Sequence, residues 1–270
     1  MALKRIAVLI DPTLEGDDCL RLAATIAKRH GASLTGFYVV QDTPPFHSYV
    51  RGHSAIQSMI ERCTLSRQWN VMRNSRRLSR AAALYKIKTD FRVIWNPDDL
   101  GCVNSLPVDL LIVGDKTSAA PQSYWRPEQL VSACAVPLLV APARDSTKTT
   151  AESVLIAWNG SKEARRATTA AMPFLKAAQS VTILMVDSAS DEAGLELARH
   201  LASHGVRTRV EQINSAGAST VDVILSNAAQ HHADLIVMGA YSHARPMRLV
   251  FGGITRSILR KSSVPILMSR

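Results

Sequence analysis

The chain has 270 residues, of which 47% are hydrophobic and 20% charged, with a formal net charge of +10. That is the composition of a globular chain of one large or two ordinary domains, and no run of about 20 apolar residues exists to span a membrane. Cys19, Cys63, Cys102 and Cys134 show no CxxC spacing, and the apolar run at 6–10 is too short for a signal-peptide core. Free thiols and a cytoplasmic location are therefore expected, and no metal site.

Taken in chain order, the first apolar run is "AVLIDPT" at 7–13, which includes Asp11. Residues 54–94 contain neither Pro nor Gly, and Ile56, Met59, Ile60 and Cys63 recur at helical spacing. A long helix is expected there, between the second and third strands. Arg73, Arg76, Arg77 and Arg80 follow at i, i+3, i+4 and i+7, which places them in one stripe. From Arg62 to Arg92 nine Lys or Arg stand against one acid, Asp90, so this stretch alone carries +8. A solvated helix face is the favoured reading; contact with nucleic-acid phosphates or anionic lipid is the sharper one. No aromatic interleaving or known nucleic-acid module supports the latter.

"VDLLIVGD" at 108–115 comes next, then a glycine-free segment containing Tyr124 and Trp125, then "AVPLLVAPAR" at 135–144. The polar stretch "ARDSTKTTAES" at 143–153 reads as a linker of about ten residues, able to span roughly 30 Å. Beyond it the pattern returns. "LIAWNGS" at 155–161 matches the first run at an offset of 148, "ADLIVMGA" at 233–240 matches at 125, and "SVPILMSR" at 263–270 matches at 128. The chain is thus two similar units, the first with about 20 extra residues in its middle.

In the second unit strands are predicted at 154–158, 181–186, 208–213, 234–239 and 265–268. Helices are predicted at 162–178, 191–204, 219–231 and 253–261. Continuous apolar runs alternating with helical patterns indicate an α/β fold with strands buried on both faces. The expected architecture is two doubly wound, mostly parallel five-stranded sheet domains, spanning 1–143 and 152–270. Ligands in such sheets lie beyond the carboxyl ends of the strands.

At one such end stands "GAYSHARPMRLVFGGIT", 239–255. Gly239 can adopt positive φ and lets a backbone approach a ligand closely. Gly252 and Gly253 open a helix whose free N–H groups attract anions. Ser242 offers a hydroxyl, while His243, Arg245 and Arg248 offer positive or polar partners. The bland alternative is that these glycines merely start and stop helices. His243 divides evenly between phosphate contact and capping.

With these motifs in view, the whole chain resembles a tandem universal stress protein, two family domains fused. Nucleotide-binding members of that family carry Gly-x2-Gly-x9-Gly-(Ser/Thr) between strand 4 and helix 4. Here the pattern is Gly239-x2-Ser242-x9-Gly252-Gly253-Ile254-Thr255, with Ser242 in place of a Gly and Gly253 in place of Ser or Thr. The resemblance implies an adenine nucleotide-binding, Rossmann-like fold related to adenine nucleotide alpha hydrolases. It implies that Gly239, Ser242, Gly252, Gly253 and Ile254 wrap the phosphates of ATP or a related nucleotide, with or without Mg²⁺; Thr255 closes the same motif. The family's first strand usually ends in an Asp beside the adenosine, where this chain has Asn159. A turn or helix cap at Asn159-Gly160-Ser161 competes evenly with that role. Backbone at the end of the second strand reads adenine in the family, which maps to Val186 and Asp187. The first unit keeps Asp11 but lacks the glycine loop, so its site is expected to be degenerate.

The remaining constellations are weaker. His200 and His204 stand four apart but lack the HExxH glutamate and a third ligand, so surface histidines are expected. His231 and His232 end a helix and complement its dipole. Asp187 and Asp234 are candidates for metal–nucleotide contact, although each reads better as a strand-flanking residue. No nucleophile elbow, P-loop or GxGxxG fingerprint is present. The leading expectation is a stress-response regulator that binds an adenine nucleotide in its second domain without rapid turnover. The alternatives are a slow nucleotide hydrolase at the same pocket, and an interaction module with a basic docking face. No protein partner can be named, and nucleic acid is disfavoured. The resemblance also implies that the two final strands pair antiparallel, forming a pseudo-dimer within the chain and leaving further homodimerisation open.

Overall fold

The computed structural model describes residues 2–10, 17–40, 53–95, 104, 107–114, 125–142, 151–240 and 253–270. In chain order the elements are β1 (Arg5–Leu9), α1 (Asp17–His30), β2 (Ser33–Val39), α2 (His53–Tyr85), β3 (Thr89–Ile94), β4 (Leu110–Gly114), α3 (Pro127–Ala133) and β5 (Leu138–Ala141). The second half continues with β6 (Ser153–Ala157), α4 (Lys162–Leu175), β7 (Ser180–Val186), α5 (Glu192–Ser203), β8 (Arg209–Ile213), α6 (Thr220–Gln230), β9 (Leu235–Gly239), α7 (Gly253–Lys261) and β10 (Ile266–Ser269). Most predicted boundaries fall within a residue or two. The exception is α4, which ends at Leu175, with Lys176 as its C-cap, rather than at 178.

All ten strands form one sheet, in the order β3-β2-β1-β4-β5-β10-β9-β6-β7-β8. Pairing is parallel within each half and antiparallel only between β5 and β10. Each half therefore has the same doubly wound order, and the two read outward from a shared centre. The apolar runs explain why. Ile6, Val8, Val154 and Ile156 face one core cluster, under α1, α2, α4 and α5. Ala7, Leu155, Ile236 and Ile266 face the other, under α3, α6 and α7.

The repeat carries a hydrogen-bond clamp as well as hydrophobicity. The Asp109 carboxylate accepts from the Lys4 and Arg5 N–H groups at 2.7 and 2.9 Å. At the matching place the Asp234 carboxylate accepts from Glu152 and Ser153 at 3.0 Å each. Both clamps fix the amino-terminal end of the first strand of a half. Asp234 is thus at the end of the sheet away from the candidate ligand site, which removes it as a metal–nucleotide contact.

The expected pairing of final strands is present: Ile266, Leu267 and Met268 stand opposite Val140, Leu139 and Leu138. Its polarity is informative. Leu111 N–H donates to the Pro137 carbonyl and Ile236 N–H to the Pro265 carbonyl, both at 3.0 Å. Backbone direction alternates along a strand, so Leu139 and Leu267 turn their N–H groups inward, to β4 and β9. Leu138, Val140, Ile266 and Met268 carry the bonds across the seam. A proline at Leu139 or Leu267 would therefore test each half's own sheet, not the seam. Around this ladder, Arg29 Nη2 donates to the Ala177 carbonyl (3.3 Å) and Arg270 Nη1 to the Ser132 carbonyl (3.1 Å). His30 packs edge-on against Phe174, ring centres 5.3 Å apart.

The long helix also stands. α2 has 33 residues against 12 in α5. Its arginine stripe is less uniform than the spacing predicts. Arg73, Arg76 and Arg80 are exposed, whereas Arg77 is half-buried and its Nη1 donates to Asn74 Oδ1 at 2.7 Å. Asn74 and Leu78 are the helix's buried residues among the described ones, and Arg77 leans toward that side.

Candidate functional site

The carboxyl ends of β7, β6 and β9 lie side by side, since Ala157 is paired with both Leu184 and Met238. Past the end of β6, Trp158 is buried and its indole N–H donates to the Ala193 carbonyl at 3.1 Å, locking this strand end to α5. Asn159 is exposed, and its Oδ1 accepts from Ser161 N–H at 3.2 Å. Gly160 supplies the positive φ of +72° that the turn needs, and Ser161 Oγ caps α4 by accepting from Ala164 N–H at 3.1 Å. The Asn159 carboxamide is thus engaged in closing this turn, as the competing sequence reading expects.

Val186 ends β7, half-buried. Asp187 follows at a φ of +52°, and its Oδ1 accepts from Ser215 N–H at 2.8 Å. Those bonds from Ser215, backbone first, hold the Asp187 carboxyl below its usual range. Asp187 spends its carboxylate tying the loop after β7 to the loop after β8, which accounts for it without a metal.

Gly239 departs from its expected role. Its φ is not positive. A Cβ built on it would lie 2.4 Å from the Ala164 backbone nitrogen and 2.8 Å from the Glu163 carbonyl carbon. The glycine is required because the first turn of α4 rests directly on the end of β9. This contact also brings in a residue that motif spacing does not reveal. Glu163 is buried, only 6% exposed, with its Cβ beside Gly239. Lys162 Nζ is 3.7 Å from its Oε1. In the sequence Glu163 looks like an ordinary acid complementing a helix N-terminus; only the packing of α4 on β9 shows that it lines the carboxyl edge.

α7 begins at Gly253, with Ile254 exposed and Thr255 buried. A Cβ at Gly253 would meet nothing within 4 Å among the described residues. The first N–H groups of a helix have no intrahelical acceptor, so the start of α7 offers donors. Of the sequence-derived site residues, Asn159, Val186, Gly239, Gly253, Ile254 and Thr255 belong to this carboxyl edge; Ser242, His243 and Gly252 lie outside the described residues. In the first half Asp11, Tyr124 and the segment after Gly114 also lie outside them. Trp125, however, is buried with Leu130 and Val131 just ahead of α3. Among the described residues no group of three His, Cys, Asp or Glu is placed to hold a metal. His200 and His204 are exposed and stack edge-on at 4.9 Å.

Residues 150–270 match the model of the Universal stress protein family. The match is confined to the second half of the chain. A universal stress protein of Synechocystis is 25% identical over 186 residues, a match covering 63% of this chain and 62% of that protein. The chain therefore spans under two thirds of its curated relative. A universal stress protein from Archaeoglobus fulgidus has a TM-score of 0.73 at 16% identity, covering 98% of this chain and 96% of that one. A putative universal stress protein from Pseudomonas aeruginosa has a TM-score of 0.60 at 16% identity, covering 98% and 92%. These two structures share the fold across both halves, so the first half repeats the architecture of the second. No described helix is long and apolar enough to cross a membrane.

Proposed function

We propose that the second domain, 152–270, binds ATP or a related adenine nucleotide at its carboxyl edge, and that the protein acts as a stress-response regulator through conformation rather than turnover. The observation that carries this reading is the start of α7 at Gly253. The first N–H groups of this helix have no acceptor within it, and they follow the carboxyl end of β9, in the stretch that matches the family. Gly252, Gly253 and Ile254 cradle the phosphates in this reading, and Val186 and Asn159 flank the nucleoside. The Glu163 carboxylate would meet bare polyphosphate with like charge, which favours delivery as a magnesium complex. The first domain, 1–143, has a structural role, with Trp125 occupying bulk where the second has glycine.

Calorimetric titration with MgATP tests this. One site per chain is expected, abolished by Gly252→Val and weakened by Gly253→Ala. Two equivalent sites, or unchanged affinity in both variants, would remove the asymmetry on which the proposal depends.

A further inference from the structure

The outward face of α2 has no use in the nucleotide reading. At 1.5 Å per residue this helix is about 50 Å long, while strands of five to seven residues span only about 20 Å. From residue 64 onward, Asn74 and Leu78 are buried, and Ala81 and Tyr85 pack against the core. The helix runs back from the end of β2 to the start of β3, and it is longer than the strands it crosses. On its middle turns Leu65 is 56% exposed, Trp69 66% and Met72 49%. Positions 65, 69 and 72 follow i, i+4, i+7, one side of the helix.

The arginines continue this side. At 100° per residue, Leu65, Trp69, Met72, Arg73, Arg76, Arg80 and Leu84 fall within an arc of about 120°. That arc lies opposite Asn74, Leu78, Ala81 and Tyr85. Arg73, Arg76 and Arg80 are exposed, and Leu84 is 75% exposed. No acid occurs between Glu61 and Asp90. The sequence reading treats the arginines as a stripe without aromatic company; Trp69 proves to be on the same side.

We propose that this face docks on an anionic lipid surface. The pattern is that of a helix lying in a membrane interface, with Trp and aliphatic side chains entering the headgroup boundary and arginines meeting lipid phosphates. A second copy of the chain is a poor occupant, because a twofold contact would set arginine against arginine with no acid to compensate. Nucleic acid would accept the arginines and stack on Trp69, but gives Leu65 and Met72 nothing to bury against.

The test uses the full chain carrying Trp95→Phe, which leaves Trp69 as the exposed indole beside the buried Trp125 and Trp158. Vesicles of phosphatidylcholine alone are compared with vesicles containing about one-third phosphatidylglycerol. Anionic vesicles at low salt should blue-shift the emission and co-sediment the protein; neutral vesicles should not. Two triple variants, R73Q/R76Q/R80Q and L65Q/W69Q/M72Q, should each raise the lipid needed for half-binding by about tenfold or more. Both alter exposed side chains, and unchanged thermal unfolding shows that the fold is kept. The proposal is overturned by absence of binding to anionic vesicles, by equal binding to neutral ones, or by indifference to both variants. It is also overturned if single-stranded oligonucleotide binds through the same residues while vesicles do not, or if the chain dimerises with Trp69 already shielded.

Discussion

Gly239→Ala and Gly253→Ala make a matched pair that separates backbone packing from backbone conformation. Neither glycine has a positive φ, so alanine strains neither backbone directly. At Gly239 the new methyl would lie 2.4 Å from a backbone nitrogen that packs on the strand end. Ordinary contact begins about 1 Å farther out, and the obstacle is the first turn of α4 rather than a side chain that can rotate. Overpacking of this kind costs about 3 kcal/mol at the upper end of the usual range. In a chain of this size that corresponds to a fall in Tm of roughly 6–12 °C. At Gly253 the methyl meets nothing within 4 Å among the described residues, and alanine restricts the unfolded chain, so stability should hold or rise by about 0.5 kcal/mol. Urea and thermal unfolding followed by circular dichroism give both values. If Gly239→Ala unfolds within about 0.5 kcal/mol of the parent, the close approach of α4 to β9 is not what requires glycine there.

Three further outcomes are expected. Among the described residues the buried Nε2 of His30 has no hydrogen-bond partner, and the ring lies beside Phe174 and a cavity of about 40 Å³ lined also by Thr25, Ile26 and Arg29. Burial first, and the Arg29 charge second, push its pKa below the ordinary 6.5. The unfolded chain therefore binds the proton more readily, so stability is full above about pH 6.5 and falls as pH drops below it; His30→Phe should flatten that part of the Tm–pH curve, and an unchanged curve would count against the seam histidine. Burial pushes the Cys19 thiol up to about 12, so a thiol reagent at neutral pH should label the half-exposed Cys134 in the native protein and Cys19 only on unfolding, as mass spectrometry of peptides would show. Val140→Pro removes an N–H that faces β10 and should split thermal unfolding into two transitions by calorimetry; a single transition at the parent temperature would mean that the seam ladder contributes little.

The fold was readable because its signals are local and repeated. Runs such as "LIVMG" in β9 and "SVTILMV" in β7 are apolar on both faces, and the offsets of 125, 128 and 148 show the chain doing the same thing twice. The Asp109 and Asp234 clamps were visible only as matching letters, because a carboxylate's partners are set by where distant strand ends arrive. The site was harder. The sequence shows Gly239 as a place of close approach but not that the first turn of α4 is one of its neighbours, since a helix returning from residue 162 leaves no mark at residue 239. Glu163 carries no sequence signal because its burial depends on that same contact. Asn159 offered two readings from one turn motif, and the hydrogen bond to Ser161 accounts for the turn. Trp69 and the arginines were four residues and more apart, and their common side became evident only once the buried side of α2 was fixed.

Fusing the halves through β5 and β10 leaves β3 and β8 as the outer strands of a ten-stranded sheet. These are the places where another chain could add a strand and propagate an aggregate. Both are short and carry charge at alternate positions. Arg92 Nε is 3.0 Å from Asp90 Oδ2 on β3, and Arg209 Nε is 3.3 Å from Glu211 Oε1 on β8. A strand arriving at either margin would have to bury these pairs or part them. By covering two apolar edges with each other, the duplication leaves as outer strands two that each carry a charge pair.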